Sequence, residues 1–137
     1  MKLLRVMKDG GPLSKVWGYW LIEWKALFSV VLLRFEDGSR EAYHSHAFNS
    51  VSWVLRGCLE ERRMYPPKEW AVCKIVVTHF RPSLRPIITT RDNLHKVHSI
   101  GRTWVLSFRG PWADTWKEYL PDEGRTITLT HGRRELP

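Results

Sequence analysis

The sequence has few of the features that mark disulfide-rich, membrane-spanning or disordered chains. Its two cysteines, Cys58 and Cys73, are too few for a disulfide framework and lack the spacing of a zinc site. The most apolar segment, residues 16–33, contains Glu23 and Lys25, whereas a membrane helix needs about 20 largely apolar residues. The first ten residues lack the apolar core of a secretory signal, which favours a cytoplasmic protein. With 43% apolar and 26% charged residues, the 137-residue chain has the composition of one globular domain.

No basic block accounts for the formal charge of +8, because the 22 lysines and arginines are spread from Lys2 to Arg134. The sequence therefore has no polybasic arm, although scattered basic residues can gather on one folded face. Aromatic residues near basic ones, as at Trp104 and Trp116, would suit base stacking, but we interpret tryptophans on alternating strands as core residues. The charge favours an acidic partner, such as a phosphate, carboxylate or nucleotide, over a basic one. Nucleic acid remains an alternative that the sequence does not favour.

Short runs of branched and aromatic residues between turn residues predict an all-β fold. The clearest run covers residues 28–36 and ends at Asp37-Gly38, a dipeptide typical of hairpin turns, so residues 40–46 are predicted to return as its partner strand. The further predicted strands are 48–56, 58–65, 71–80, 94–100, 103–109, 115–120 and 125–130, with turns at Gly57, Pro66-Pro67, Gly101, Gly110-Pro111 and Gly124. This spacing is typical of a sandwich or barrel.

Residues 1–27 differ from this pattern and are predicted to form an N-terminal extension that packs on a barrel of residues 28–137. Within the extension, Trp17, Trp20 and Trp24 recur at the three- to four-residue spacing of a helix. Alternation of Trp20, Ile22 and Trp24 suits a strand equally well. The sequence leaves both alternatives open.

Three histidines form the most informative pattern in the chain. His44 and His46 lie two residues apart on a predicted strand, which places both imidazoles on one face. His95, on a later strand, can supply a third ligand if the sheet rolls up. Three neutral imidazoles bind iron, zinc, copper or nickel and leave positions open for water and substrate. The alternative is a pair of partly exposed histidines that bind no metal.

The spacing around these histidines resembles the first motif of the cupin superfamily. It reads Gly38, five residues, His44-Ser45-His46, three residues, Ser50, six residues, Gly57, with Ser50 where the family usually has glutamate. The phrase His95-Lys96-Val97 is similar to the second-motif histidine of the thiol dioxygenases of this superfamily. The glycine and proline that normally precede that histidine are missing.

A narrower resemblance, over about residues 28–120, is to small and largely uncharacterised cupin-like proteins of tailed bacteriophages and bacteria. It rests on residues 32–35, 44–48, 53–57, 95–97 and 103–111 in this order. The resemblance implies a double-stranded β-helix, or jelly-roll barrel, with a divalent metal held by His44, His46 and His95. If the protein is phage-encoded, its expected location is the cytoplasm of the bacterial host. Cupins often dimerise through sheet faces, so a homodimer is one alternative, and the sequence leaves the oligomeric state open.

A three-histidine site without a carboxylate leaves a divalent ion its full +2 charge, which favours anionic co-ligands. We therefore expect a mononuclear non-haem iron oxygenase or dioxygenase acting on a small anionic substrate, with Fe(II) preferred over Zn, Ni or Mn. Ser50 would orient water or oxygen, and Arg56, Arg62 and Arg109 would bind the substrate. Ser50 as a small barrel residue, and the arginines as solvated strand positions, remain alternatives.

Two other functions remain open. The second hypothesis is a non-catalytic barrel that binds a nucleotide or other phosphate ligand, with a host-takeover or counter-defence role if the protein is phage-encoded. The third is a metal-assisted isomerase or lyase, for which neither Glu60 nor Glu61 can be placed beside the metal from sequence alone.

Overall fold

The computed structural model describes residues 1–10, 14–39, 43–65, 74–120, 123–131 and 133–137, and these residues contain strands and no helix. None of them therefore lies in a helix long and apolar enough to cross a membrane. The strands are β1 (Lys2–Lys8), β2 (Val16–Trp24), β3 (Phe28–Phe35), β4 (Gly38–Ser39), β5 (Tyr43–His44), β6 (Ser50–Tyr65), β7 (Lys74–Phe80), β8 (Ile87–Thr89), β9 (Leu94–Arg109), β10 (Thr115–Leu120), β11 (Arg125–Thr130) and β12 (Arg134–Glu135). The all-β prediction is confirmed.

Two long strands, β6 and β9, organise the antiparallel sheet. They pair with each other from Ser50↔Arg109 to Met64↔Leu94, and β9 also borders β3, β4 and β5. The path β1-β2-β3-β9-β5-β10-β11-β12 runs through β9, while β7 and β8 pair with β6. β9 thus joins three groups of strands: β1 to β3, β5 with β10 to β12, and β6 to β8.

Alternation along the strands gives the sheet two distinct faces. On β3 and β9, the side chains of Val31, Leu33 and Val105 are buried on the inner face, which surrounds a cavity. Arg34 and Trp104 occupy intervening positions, on what we call the outer face. The core consists of Trp20, Val31, Leu33, Val54, Leu59 and Val105.

Two predicted turns lie instead inside continuous strands. Gly57 sits within β6 and Gly101 within β9, so each pair of predicted strands is one strand of 16 residues. Gly57 has a φ of +98°, and the register against β9 shifts on both sides of Arg56. The Thr103 hydroxyl accepts a hydrogen bond from the Cys58 N–H (3.1 Å) and donates one to the Cys58 carbonyl (3.0 Å). The glycine therefore makes a bulge, which bends a strand without ending it.

The predicted hairpin at Asp37-Gly38 is wrong in its pairing. The short strand β4 pairs with β9, at Gly38↔Ser99 and Ser39↔His98, because β2 and β9 already occupy the two edges of β3. The Asp37 carboxylate accepts a hydrogen bond from the Gly101 N–H at 2.8 Å, which fixes the chain on β9.

Other sequence predictions have mixed outcomes. The strands at 28–36, 115–120 and 125–130 are confirmed within a residue of their ends, whereas β1, β4, β8 and β12 were not predicted. The first three residues of the predicted strand 40–46, the turn at Pro66-Pro67, Cys73 and the start of the strand 71–80 lie outside the described residues. Cys58 is a half-buried free thiol.

The N-terminal residues continue the sheet. β2 pairs with β3 from Val16↔Phe35 to Trp24↔Phe28, so the segment whose structure the sequence left open is a strand. Trp20 is only 4% exposed and belongs to the core. The predicted boundary at residue 27 falls in the turn between β2 and β3, and the division into extension and barrel stays a prediction.

Candidate metal centre

β5 and the first residues of β9 bring the three histidines together. His44 is the direct cross-strand partner of His95, and His46 follows two residues later. Between them, Ser45 is buried and fastened to β10: its N–H donates to the Lys117 carbonyl at 2.8 Å, and its hydroxyl accepts from the Lys117 N–H at 2.9 Å. The serine anchors the short segment, and both imidazoles line the cavity.

The three imidazoles form a compact cluster, with ligand nitrogens all within 4.8 Å of one another. Nε2 of His46 lies 2.9 Å from Nε2 of His95, and the three ring centroids are 4.9–5.0 Å apart. His95 is 5% exposed, so the deepest of the three nitrogen ligands is shielded from bulk water. The structure thus brings together the three residues that sequence spacing singled out.

A buried carboxylate orients one of these imidazoles. Oε2 of Glu61 lies 2.8 Å from Nδ1 of His95, and its Oε1 accepts a hydrogen bond from Nε of Arg63 at 2.6 Å. Burial raises the pKa of Glu61, but the hydrogen bonds from His95 and Arg63 outweigh burial, and the net pKa is below its ordinary value. The ionised carboxylate holds the proton of His95 on Nδ1, so the Nε2 lone pair points to the other histidines.

The donor set fits a metal ion. Nε2 of His46 and Nε2 of His95 lie within hydrogen-bond distance at 2.9 Å, and a cation bound by both would take the place of that hydrogen bond. The separation is compatible with neighbouring ligands on one ion at bond lengths of about 2.1 Å. Glu61 is unsuited to be a ligand, because its oxygens are engaged by His95 and Arg63. The donor set is therefore three imidazoles, which suits iron, zinc, nickel or copper.

The cavity beside the cluster has a volume of about 460 Å³. One part of its lining is apolar and includes Leu33, Leu59, Phe80, Val97 and Val105. A second part carries aromatic rings and polar groups, among them Phe48, Ser50, Arg109, Trp112 and Trp116. Ligand sites commonly combine a mostly apolar wall with a few polar groups that fix orientation.

Arg109 is the one predicted substrate-binding arginine that lines this cavity. Its side chain is 4% exposed, lies over the rings of Phe48 (4.5 Å) and Trp20 (5.1 Å), and donates to both oxygens of Asp9 at 2.9 and 3.3 Å. Among the described residues, none accepts a hydrogen bond from its Nε. Ser50 is its direct partner on β6, so the serine hydroxyl and the guanidinium share one part of the wall.

The other two predicted arginines lie elsewhere. Arg56 is exposed on the outer face, and Arg62 is exposed and ion-paired with Glu60 at 2.9 Å. Neither lines the cavity, and a substrate-binding role for them stays a prediction.

Three residues of the site were missed from sequence. Glu61, Asp9 and Trp112 reach the cavity from β6, the end of β1 and the loop before β10. In the register of β6 against β9, Arg63 is the partner of His95, and Glu61 is the next inward-pointing residue of β6. Register between strands more than 30 residues apart cannot be read from spacing.

No protein-family model and no curated protein matches this sequence. Among solved structures, a sugar phosphate isomerase of the cupin superfamily from Silicibacter pomeroyi DSS-3 aligns with a TM-score of 0.59 and 14% identity, over 97% of this chain and 89% of that one. An RmlC-like cupin from Shewanella frigidimarina aligns with a TM-score of 0.52 and 14% identity, over 79% and 84%.

A structure of Fe(II) HppE aligns with a TM-score of 0.54 and 12% identity, over 77% of this chain. The chain spans about half of that structure, 55% of its length. At these identities the likeness concerns the fold. Together with the antiparallel sheet and the inward-facing histidines, it shows that the chain has the cupin fold, with a three-histidine cluster in its cavity.

Proposed function

We propose that the protein is a mononuclear non-haem metal enzyme of the oxygenase or dioxygenase type that acts on a small anionic substrate. The observation that carries this proposal is the cluster of His44, His46 and His95 at the wall of a 460 Å³ cavity. The metal we propose is Fe(II), supported by the imidazole donor set and by the shared fold with Fe(II) HppE.

Each group of side chains in the cavity has a separate role in this proposal. A bound ion would supply open positions for oxygen and substrate. The three imidazoles hold it, and Glu61 fixes the tautomer of His95. The apolar wall keeps bulk water from the cluster, while Arg109 and Ser50 present a cation and a hydroxyl to the anionic end of the substrate. Ser50 also orients water or oxygen.

A second candidate is a non-catalytic barrel that binds a nucleotide or other phosphate ligand. Supporting it, Nζ of Lys25 lies 4.5 Å from the centre of the Trp112 ring at the cavity wall, which offers an aromatic surface beside a cation. Such a pair suits a base or sugar next to a phosphate. This function needs no metal.

The metal content of the purified protein distinguishes the proposed metal enzyme from the non-catalytic phosphate-binding barrel. We expect elemental mass spectrometry of the purified, tag-free protein to find near-stoichiometric iron, which is lost in His44→Ala because a ligand is removed. His98→Ala is the matched control, since His98 is exposed and three residues beyond His95 on the same strand. Oxygen consumption on addition of small thiols or carboxylates would then identify the substrate class.

Unchanged metal content in both His44→Ala and His95→Ala would contradict the site. A metal-free wild-type protein whose melting temperature rises with nucleotides, and is insensitive to chelators, would favour the phosphate-binding barrel.

A further inference from the structure

The outer face of the sheet carries a row of five side chains in which cations and tryptophans alternate. Each is the direct cross-strand partner of the next across β1, β2, β3, β9 and β6: Lys8↔Trp17, Trp17↔Arg34, Arg34↔Trp104 and Trp104↔Arg56. Directly paired residues of antiparallel strands point to the same face of the sheet. The five side chains therefore form one continuous line, which we call the cation–tryptophan row.

Contacts within the row hold the aromatic rings in place. Nζ of Lys8 lies 5.6 Å from the centre of the Trp17 ring, and the guanidinium carbon of Arg34 lies 5.9 Å from that of Trp104. Tyr19 adds a ring 5.8 Å from Trp104. Both tryptophans are half-buried, in contrast to Trp20, which points inward. The interpretation of the tryptophans as core residues thus holds for Trp20 but not for Trp104.

The surroundings of the row are positively charged. Arg102, two residues before Trp104 on the same face of β9, is 59% exposed. Glu36 is the acid beside it, with ion pairs to Arg102 at 3.1 Å and to Arg34 at 2.9 Å. Lys8, Arg34, Arg56 and Arg102 thus lie on this face together with Glu36. Arg56 is exposed and has no ion-pair partner in the described part of the chain.

We infer that the cation–tryptophan row binds single-stranded nucleic acid, with bases stacked on Trp17 and Trp104 and phosphates held by the cations. Neighbouring strands lie about 4.8 Å apart, so the two indoles are about 10 Å apart with Arg34 between them. An extended single strand offers the same alternation of flat bases and charged phosphates. In a duplex the base faces are stacked on one another and are not accessible to the indoles. The carboxylates of an acidic peptide would pair with the cations but would not stack on the two indoles.

The test is fluorescence anisotropy of the full chain with dye-labelled dT12, U12 and a 12-base-pair duplex. The salt concentration is varied over about 50–200 mM, a range in which the loss of phosphate contacts changes the affinity measurably. We expect one or both single strands to bind more tightly than the duplex. The log of the affinity should fall with log salt at a slope of about −2 to −3, since each neutralised phosphate of a single strand contributes about −0.7. The two single strands distinguish DNA from RNA.

Variants assign the binding to the row. Trp104→Leu should weaken binding about tenfold, and Trp104→Phe should retain most of it, because a phenyl ring still stacks. Arg56→Glu should weaken binding at least tenfold, whereas Arg134→Glu, the same charge change at an exposed position of β12, should have little effect. Equal losses in the two glutamate variants, equal binding of the duplex, or no binding of either single strand at the lowest salt would overturn the inference.

Discussion

Glu61 shows how one side chain outside the histidine cluster can control the geometry of that cluster. It is buried, it is ionised, and it joins Arg63 to His95 through two short hydrogen bonds. Arg63 is itself fixed, because it also donates to Oδ1 of Asn93 (3.1 Å) and to the Ile88 carbonyl (2.8 Å). The orientation of the deepest histidine thus depends on a chain of contacts that begins on β8 and the loop after it.

We expect Glu61→Gln to lower metal affinity about 10- to 100-fold, because the neutral amide no longer stabilises His95 as a ligand. Competition with a chromogenic chelator measures this change directly. Glu60→Gln is the matched control, since Glu60 directly precedes Glu61 on β6, faces outward and pairs with Arg62. Equal affinities for the two variants would contradict a positioning role for Glu61.

Among the elements, β6 and β9 depend on glycines that bend them. A Cβ at Gly57 would lie 2.5 Å from Oγ1 of Thr103 and 2.6 Å from the Arg102 carbonyl oxygen, and the φ of +98° disfavours any side chain. At Gly101 the φ is +71°, but a Cβ would meet nothing within 4 Å. A substitution at Gly101 therefore tests backbone strain alone, whereas one at Gly57 tests backbone strain together with steric overlap.

Gly101→Ala should lower the free energy of unfolding by about 1–2 kcal/mol, the cost of a left-handed L-residue. Gly57→Ala should lower it by more than about 3 kcal/mol, because strands β6 and β9 must also move apart. Urea denaturation at fixed temperature measures both values. Equal losses would show that the close approach at Gly57 relaxes without cost.

The same glycines explain where sequence-based reasoning was limited. Runs of branched and aromatic residues correctly predicted strands on both sides of Gly57 and Gly101, since side-chain pattern reflects burial. Whether a glycine ends a strand or bends it depends on the neighbouring strand, here on the Thr103 hydroxyl, which bonds to the backbone N–H and carbonyl of Cys58. The histidine pair could be predicted because both members lie two residues apart, whereas Glu61 and Asp9 reach the site only through long-range register.

For the whole molecule, the N-terminal strands decide whether the sheet has a complete core. β2 covers one edge of β3, and Trp20 contributes a buried indole. Removing a buried tryptophan side chain alone costs about 3–5 kcal/mol, a large part of the 5–15 kcal/mol that stabilises a typical domain.

We therefore expect residues 28–137 alone to lack a cooperative thermal transition and near-ultraviolet dichroism. Deletion of residues 1–8 should leave a cooperative transition at a lower temperature, because β1 is mostly exposed and β2 remains. Thermal melts of the two truncated chains test this difference. A cooperative transition in residues 28–137 would show that the barrel folds without β2.

The pairing of Arg109 with Asp9 has a consequence for selectivity. Both terminal nitrogens of the guanidinium already donate to an internal carboxylate, so an anion that takes this position does so by exchange. Chloride or acetate would accept the same hydrogen bonds from Arg109 that Asp9 already accepts. The Asp9 carboxylate is also present at a far higher effective concentration, so these small anions do not displace it. Only a ligand whose remaining atoms fill the cavity gains from the exchange. We therefore expect the cavity to prefer anions whose remaining atoms fill it over small anions such as chloride.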